Sequence, residues 1–151
     1  MAGHSLEGAS VVVSGGGGFI GSHLVRRLLA ENVSCVTVID SFRYGDPRNL
    51  ELDIAPADRE RIRIVRFTLG SDPLAALDAA MSGTNFLFHL AAEKHNQSKD
   101  SPEVYLRANI EGTHQLYEAA ARAGVKKIVY TSSLYAYGRV SGAPFLESET
   151  P

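Results

Sequence analysis

The sequence has little that could cross-link it, anchor it in a membrane or condense it onto a polyanion. Cys35 is the one cysteine among 151 residues, which excludes a disulfide framework and a cysteine-based metal cluster and fits a cytoplasmic setting. No uninterrupted apolar run approaches the roughly 20 residues of a membrane-spanning helix. The first ten residues are polar, without the apolar centre of a secretory leader. A soluble protein with no membrane partner is expected. Charge is neither large nor blocked, with 15 Lys+Arg against 17 Asp+Glu and a formal net charge of -2, so no nucleic-acid partner is implied. No second histidine or cysteine stands at ligand spacing from His89, which is therefore expected as a core residue, with no metal.

Against these absences, 44% of the residues are hydrophobic, enough for one domain with a real core. The chain is organised around Val11-Val12-Val13-Ser14 followed by Gly15-Gly16-Gly17-Gly18-Phe19-Ile20-Gly21. A β-branched run stops at glycines, and Ile20, Leu24 and Leu28 then recur at helical spacing, which reads as strand, tight turn and helix. The four glycines permit two registers, Gly15/Gly18/Gly21 or Gly16/Gly18/Gly21. In either, glycine lets a pyrophosphate approach the main chain with no Cβ in the way, and the helix start supplies N–H donors.

Such a turn calls for an acidic residue at the end of the next strand. Cys35-Val36-Thr37-Val38-Ile39-Asp40 is that strand, and Asp40 stands nineteen residues beyond Gly21, where a carboxylate accepts hydrogen bonds from ribose hydroxyls. A 2′-phosphate there would face a like charge, worth about 4 kcal/mol at 4 Å in an effective dielectric of 20. NAD is thus favoured over NADP, although Arg43 nearby could neutralise such a phosphate.

Further strands are expected at residues 61–67, 85–90 and 128–131. Polar, proline-bearing sequence at 46–61 reads as loop with a short helix, and the three arginines of residues 61–66 as a solvated edge-strand face. One helix opens at Ser71-Asp72-Pro73, with Leu74, Leu77, Ala80 and Met81 buried. A long one runs from a Ser101 cap to Gly124, with Val104, Ala108, Ile110, Thr113, Leu116, Tyr117 and Ala120 on its apolar side. Asn109 lies close to that side and is expected to fix neighbouring loop backbone. Strand–helix alternation implies an α/β, doubly wound parallel sheet of the Rossmann type, in the order 3-2-1-4-5.

Several separated motifs agree on a family. Gly15 through Leu24, Asp40 through Gly45, His89-Leu90-Ala91-Ala92, Asn109 with Gly112-Thr113, and Ser132-Ser133 with Tyr137-Gly138 together resemble the N-terminal half of an extended short-chain dehydrogenase/reductase of the nucleotide-sugar epimerase/dehydratase family. The resemblance selects Gly15, Gly18 and Gly21 as the working glycines, leaving Gly16 and Gly17 as variable positions. It implies that Phe19 and Ile20 lie over the pyrophosphate and that Asp40, Ser41, Phe42, Arg43, Tyr44 and Gly45 hold the adenosine. Leu90, Ala91, Ala92, Glu93 and Lys94 would line the path to the nicotinamide, with Asn109 supporting that wall. Ser133 matches the catalytic Ser/Thr that hydrogen-bonds the sugar hydroxyl.

The implied chemistry is hydride transfer from a nucleotide sugar to NAD+ and its return, or elimination of water. The family's general base is the tyrosine of a Tyr-x-x-x-Lys motif, which this sequence does not contain. The sequence stops at Glu149-Thr150-Pro151, just before the family places it. The acidic residue that often contacts adenine is replaced by Leu69, and the 89–98 loop is one residue shorter than the common pattern. The expected organisation is a flexible tail at 1–9, an NAD-binding domain at 10–138, and a loop at 139–151 leading to an absent catalytic helix and substrate domain. A homodimer through residues 101–123 is implied as well. The alternatives are a non-catalytic dinucleotide-binding module and an NAD(P)-dependent ketone reductase of the same superfamily.

Overall fold

Val11, Val12 and Val13 are wholly buried in β1 (Ser10–Ser14), because both faces of that strand are covered, as a central strand of a parallel sheet requires. The computed structural model describes residues 5–94 and 97–138. Beside β1 lie β2 (Cys35–Asp40) on one side and β4 (Phe86–His89) on the other. β3 (Ile62–Arg66) and β5 (Lys127–Tyr130) form the edges, giving the parallel order β3-β2-β1-β4-β5. This is the order expected from the alternating pattern.

The pleat sends alternate side chains into two cores. Val11, Val13, Val36, Val38 and Phe86 meet Val25, Leu28 and Leu29 of α1 (Phe19–Ala30) on one face. On the other, Val12, Ile39 and Leu87 meet Leu77, Ala80 and Met81 of α3 (Leu74–Met81, with α2 at Pro56–Arg59), together with Leu116, Ala119 and Ala120. α1 ends where Asn32 takes a left-handed conformation, φ 56°, as its place after the apolar repeat suggested. The 46–61 segment holds α2 and a 3₁₀ turn, Pro47–Leu50.

Local signals and observed structure part in five places. Pro73 is the cap of α3 rather than its first residue, because the Asp72 carboxylate accepts from Thr68 N at 2.7 Å and closes a turn before the helix. Leu74 is consequently exposed. The long helix is three pieces, α5 (Pro102–Leu106), a π-turn (Arg107–Glu111) and α6 (Gly112–Arg122), with a separate short α4 (Gln97–Asp100) before it. The extra residue of a π-turn rotates the apolar stripe by about 100°, so Ile110 faces solvent.

Ser101 precedes α5 without a side-chain cap bond. Arg61 is not part of a solvated face; it donates to the Val33 and Leu29 carbonyls at 2.8 and 3.1 Å and pairs with Asp58, tying β3 to the end of α1. In the stretch assigned to a tail, Gly8 N donates to the Asn32 carbonyl at 2.9 Å and Ala9 is buried. Residues 1–4 and the 139–151 loop lie outside the described residues.

Candidate functional site

The carboxyl ends of β1, β2 and β4 open into a cleft of about 340 Å³, and glycine sets how closely its walls approach. Gly15 has φ +77°, and a Cβ there would fall 2.7 Å from Ala91 N, so the β1 turn and the β4 loop touch backbone to backbone. Gly21, on the first turn of α1, packs on Gly15 O in the same way. Gly18 caps α1 and lines the cleft; a Cβ there would meet only Gly15 O, at 3.3 Å.

Gly16 and Gly17 are not the free positions expected from the motif. A Cβ on Gly16 would lie 2.8 Å from Val38 Cγ1, and one on Gly17 2.5 Å from Phe42 Cε1, so both are held by packing behind the turn. Ahead of it, Phe19 and Ile20 are 80% and 63% exposed, large apolar side chains left in solvent at the mouth of the cleft. The first-turn N–H groups of α1 lack intrahelical carbonyl partners by construction and face the same space.

Asp40 fastens the second wall. Its Oδ2 accepts from Gly17 N at 2.8 Å and its Oδ1 from Phe42 N at 2.7 Å. A carboxylate has about four acceptor sites, which leaves two for hydroxyls of a ligand. The Gly17 carbonyl accepts from Asp46 N and Asn49 Nδ2 at 3.0 and 2.9 Å, so this one peptide anchors the whole loop after β2. Phe42 pays for the tight turn with φ +54°, unusual for an aromatic residue, and lays its ring on Gly17.

The third wall is the β4 loop. Asn109, in the π-turn, accepts from Glu93 N at 2.7 Å and donates to Glu93 O at 3.0 Å, so its amide fixes loop backbone as expected. The Glu93 carboxylate accepts from Arg43 Nη1 at 3.1 Å and from the Tyr44 hydroxyl at 3.0 Å, and Lys94 Nζ stands 4.6 Å from the centre of the Tyr44 ring. Loss of hydration and the bond to Glu93 raise the Tyr44 pKa above its ordinary value. Beneath the cleft, buried His89 lies between two hydroxyls, with Nδ1 2.6 Å from Ser14 Oγ and Nε2 2.9 Å from Thr113 Oγ1. Burial lowers its pKa to about 4, which suits a neutral core histidine. Among the described residues no group of three or more His, Cys, Asp or Glu could hold a metal ion.

The structure thus gathers Gly15, Gly18, Phe19, Asp40, Ser41, Tyr44, Gly45, Leu90, Ala91, Ala92, Lys94 and Asn109 around one cavity. Gly21 and Phe42 support it from behind through Gly15 and Gly17, Ile20 stands outside it in solvent, and Arg43 borders a smaller adjoining cavity of about 180 Å³. Ser133 lines neither; it is exposed beyond β5, and its hydroxyl accepts from Tyr135 N at 3.3 Å. Phe67, Thr68 and Leu69 also form a wall; the sequence marks Leu69 as the position facing adenine, but sequence reasoning missed Phe67 and Thr68. Phe67, the apolar residue that closes the alternating run of residues 61–67, was the available signal.

A parallel, doubly wound sheet whose glycine turn, strand-end aspartate and small-residue loop converge at its carboxyl edge defines a Rossmann-type dinucleotide fold, and the residues fit such a ligand: a glycine-lined floor, two open carboxylate acceptor positions and an apolar flap. The chain belongs to the NAD dependent epimerase/dehydratase family, whose model matches residues 11–151. It is 34% identical over 96% of its length to UDP-glucose 4-epimerase 3 of Oryza sativa subsp. japonica, covering 40% of that protein. It is 35% identical over 92% of its length to dTDP-glucose 4,6-dehydratase of Streptomyces griseus, covering 42%. Among solved structures, the Streptomyces venezuelae dTDP-glucose 4,6-dehydratase, crystallised with NAD bound, superposes with a TM-score of 0.80 at 34% identity, over 93% of this chain and 44% of that one. The chain therefore spans well under half the length of these relatives. Among the described residues no helix is long and apolar enough to cross a membrane.

Proposed function

We propose that residues 10–138 are the NAD-holding domain of an epimerase or dehydratase acting on a nucleotide sugar. The observation that supports this best is Asp40, hydrogen-bonded to the glycine turn itself and lining the same cleft as Gly15, Gly18 and Asn109, in a chain of this family. Gly15, Gly18 and Gly21 admit the pyrophosphate to the start of α1, with Phe19 and Ile20 closing over it. Asp40 accepts from the adenosine ribose, and Ser41 to Gly45 flank the adenosine. Leu90, Ala91, Ala92 and Lys94 border the nicotinamide, on a wall that Asn109 holds. When bound, NAD+ supplies a reversible hydride acceptor. Ser133 hydrogen-bonds the sugar hydroxyl once substrate is seated.

Isothermal calorimetry with NAD+ tests the first half of this reading: micromolar binding is expected, abolished by Asp40→Ala combined with Gly18→Val, and no heat from the unmodified chain would sink it. A second reading, a dinucleotide-binding module without catalysis, draws on Ser133 lying outside both cavities. Turnover of UDP-glucose or dTDP-glucose, assayed on the chain together with any sequence that follows it naturally, separates the two. A homodimer through residues 101–123, where Leu106 and Ile110 stand exposed, belongs to the first reading and is checked by analytical sedimentation.

A further inference from the structure

Two arginines, Arg43 and Arg66, stand against the start of the loop that follows Asp40, and neither is free. Arg66 donates through Nη1 to the Ser41 carbonyl at 3.1 Å, with its guanidinium 4.9 Å from the centre of the Phe42 ring. Arg43 has its Nη1 3.1 Å from Glu93 Oε1, and its guanidinium also lies over Tyr44, 5.3 Å from the ring centre. Of the two, only Arg43 has a carboxylate partner among the described residues. The carboxylate that neutralises it is the less exposed partner, its side chain 12% accessible against 47% for Arg43, so the pair is only partly screened by water. Glu93 is also held by three further bonds from two residues: Asn109 fixes its backbone by two, and Tyr44 donates to its second carboxylate oxygen. Swinging the carboxylate away from Arg43 breaks the Tyr44 bond, while the two bonds to Asn109 keep the backbone that carries it in place.

A 2′-phosphate on the adenosine ribose needs a guanidinium, because a planar donor fork meets a phosphate with two parallel charged hydrogen bonds. The loop after the ribose-binding aspartate offers Arg43 for that purpose, and Ser41 and Arg43 border the adjoining cavity together with Glu93. We propose that Glu93 is a second determinant of NAD over NADP, acting from the β4 loop by sequestering Arg43, alongside the direct repulsion from Asp40. The inference rests on the NAD-holding reading above. It assigns a role to a residue that does not belong to the glycine turn or to the β2 loop, where dinucleotide preference is ordinarily sought.

Two isosteric charge removals and one truncation test it. The Kd values of NAD+ and NADP+ are measured by calorimetry on the 151-residue chain and on Asp40→Asn, Glu93→Gln, Asp40→Asn/Glu93→Gln, and that double variant with Arg43→Ala. The thermal midpoint of each is recorded alongside. Glu93→Gln alone is expected to leave the preference in place, since Asp40 still repels the phosphate. Asp40→Asn narrows it. Adding Glu93→Gln narrows it by about a further tenfold, the worth of one released charged hydrogen bond, and Arg43→Ala removes that last gain. If the double variant matches Asp40→Asn within twofold while NAD+ still binds, or if Arg43→Ala leaves the gain intact, Glu93 is not a determinant. If the unmodified chain binds neither dinucleotide, the NAD-holding reading fails and this inference falls with it.

Discussion

Gly16 and Gly18 are two residues apart and answer to different demands. A methyl group on Gly16 has to displace the stiff, buried side chain of Val38, 2.8 Å away, and overpacking of that kind costs about 1–3 kcal/mol. A methyl group on Gly18 meets one carbonyl oxygen at 3.3 Å and loses a favourable cap, under about 1 kcal/mol, but it projects into the space a pyrophosphate would fill. Gly16→Ala is therefore expected to lower the melting temperature with a modest loss of NAD+ affinity, and Gly18→Ala to do the reverse. Melting curves and calorimetry on both variants check this, and equal affinity losses would refute the Gly15/Gly18/Gly21 register. His89 gives a second test. Burial lowers its pKa from 6.5 to about 4, so between those values the unfolded chain binds a proton that the folded chain excludes. Stability then declines as pH falls from about 6.5 to about 4, by at most about 3 kcal/mol from this group. Urea unfolding across that range should show the decline, and His89→Gln should flatten it while lowering stability at neutral pH through the lost Ser14 and Thr113 contacts.

Within the helical segment from Pro102 to Arg122, the π-turn is the part that reaches the cleft, because it presents Asn109 to Glu93. Asn109→Ala removes two hydrogen bonds to partly buried backbone and should cost about 2 kcal/mol. If the wall is what positions the cofactor, NAD+ affinity falls along with the melting temperature; an unchanged Kd would make Asn109 a purely structural residue. The polar side chain on an apolar face was readable in the sequence, as was its task of holding loop backbone. The π-turn was not. A Cβ on Gly112 would lie 2.6 Å from Leu69 Cβ and 2.8 Å from Gly70 N, so the segment is pressed by a loop distant in sequence, and such a contact leaves no mark on local periodicity. β1 and β2 were readable for the opposite reason: continuous β-branched runs bounded by glycine and aspartate have one good solution in a parallel sheet. The link between Glu93 and Arg43 needed side-chain geometry that no spacing rule supplies.

Taken as one body, the sheet carries two cores, one under α1 and one under α3 and α6, with the cleft drawing a wall from each. Gly15, Gly18 and the β2 loop stand over the first, while Leu69 and Ala91 belong to or pack on the second. A dinucleotide bound there would touch loops rooted in both cores, and β1 and β2 each contribute side chains to the two of them. Unfolding should then be a single transition that the ligand shifts as a whole. At a hundred times its Kd, NAD+ should stabilise the folded chain by about 2.7 kcal/mol. At roughly 2–4 °C per kcal/mol for a chain of this size, the midpoint should rise by about 5–10 °C. Differential scanning calorimetry with and without NAD+ decides the matter: two transitions, only one of them moved by the cofactor, would mean that the cores fold separately and that the cleft belongs to one of them.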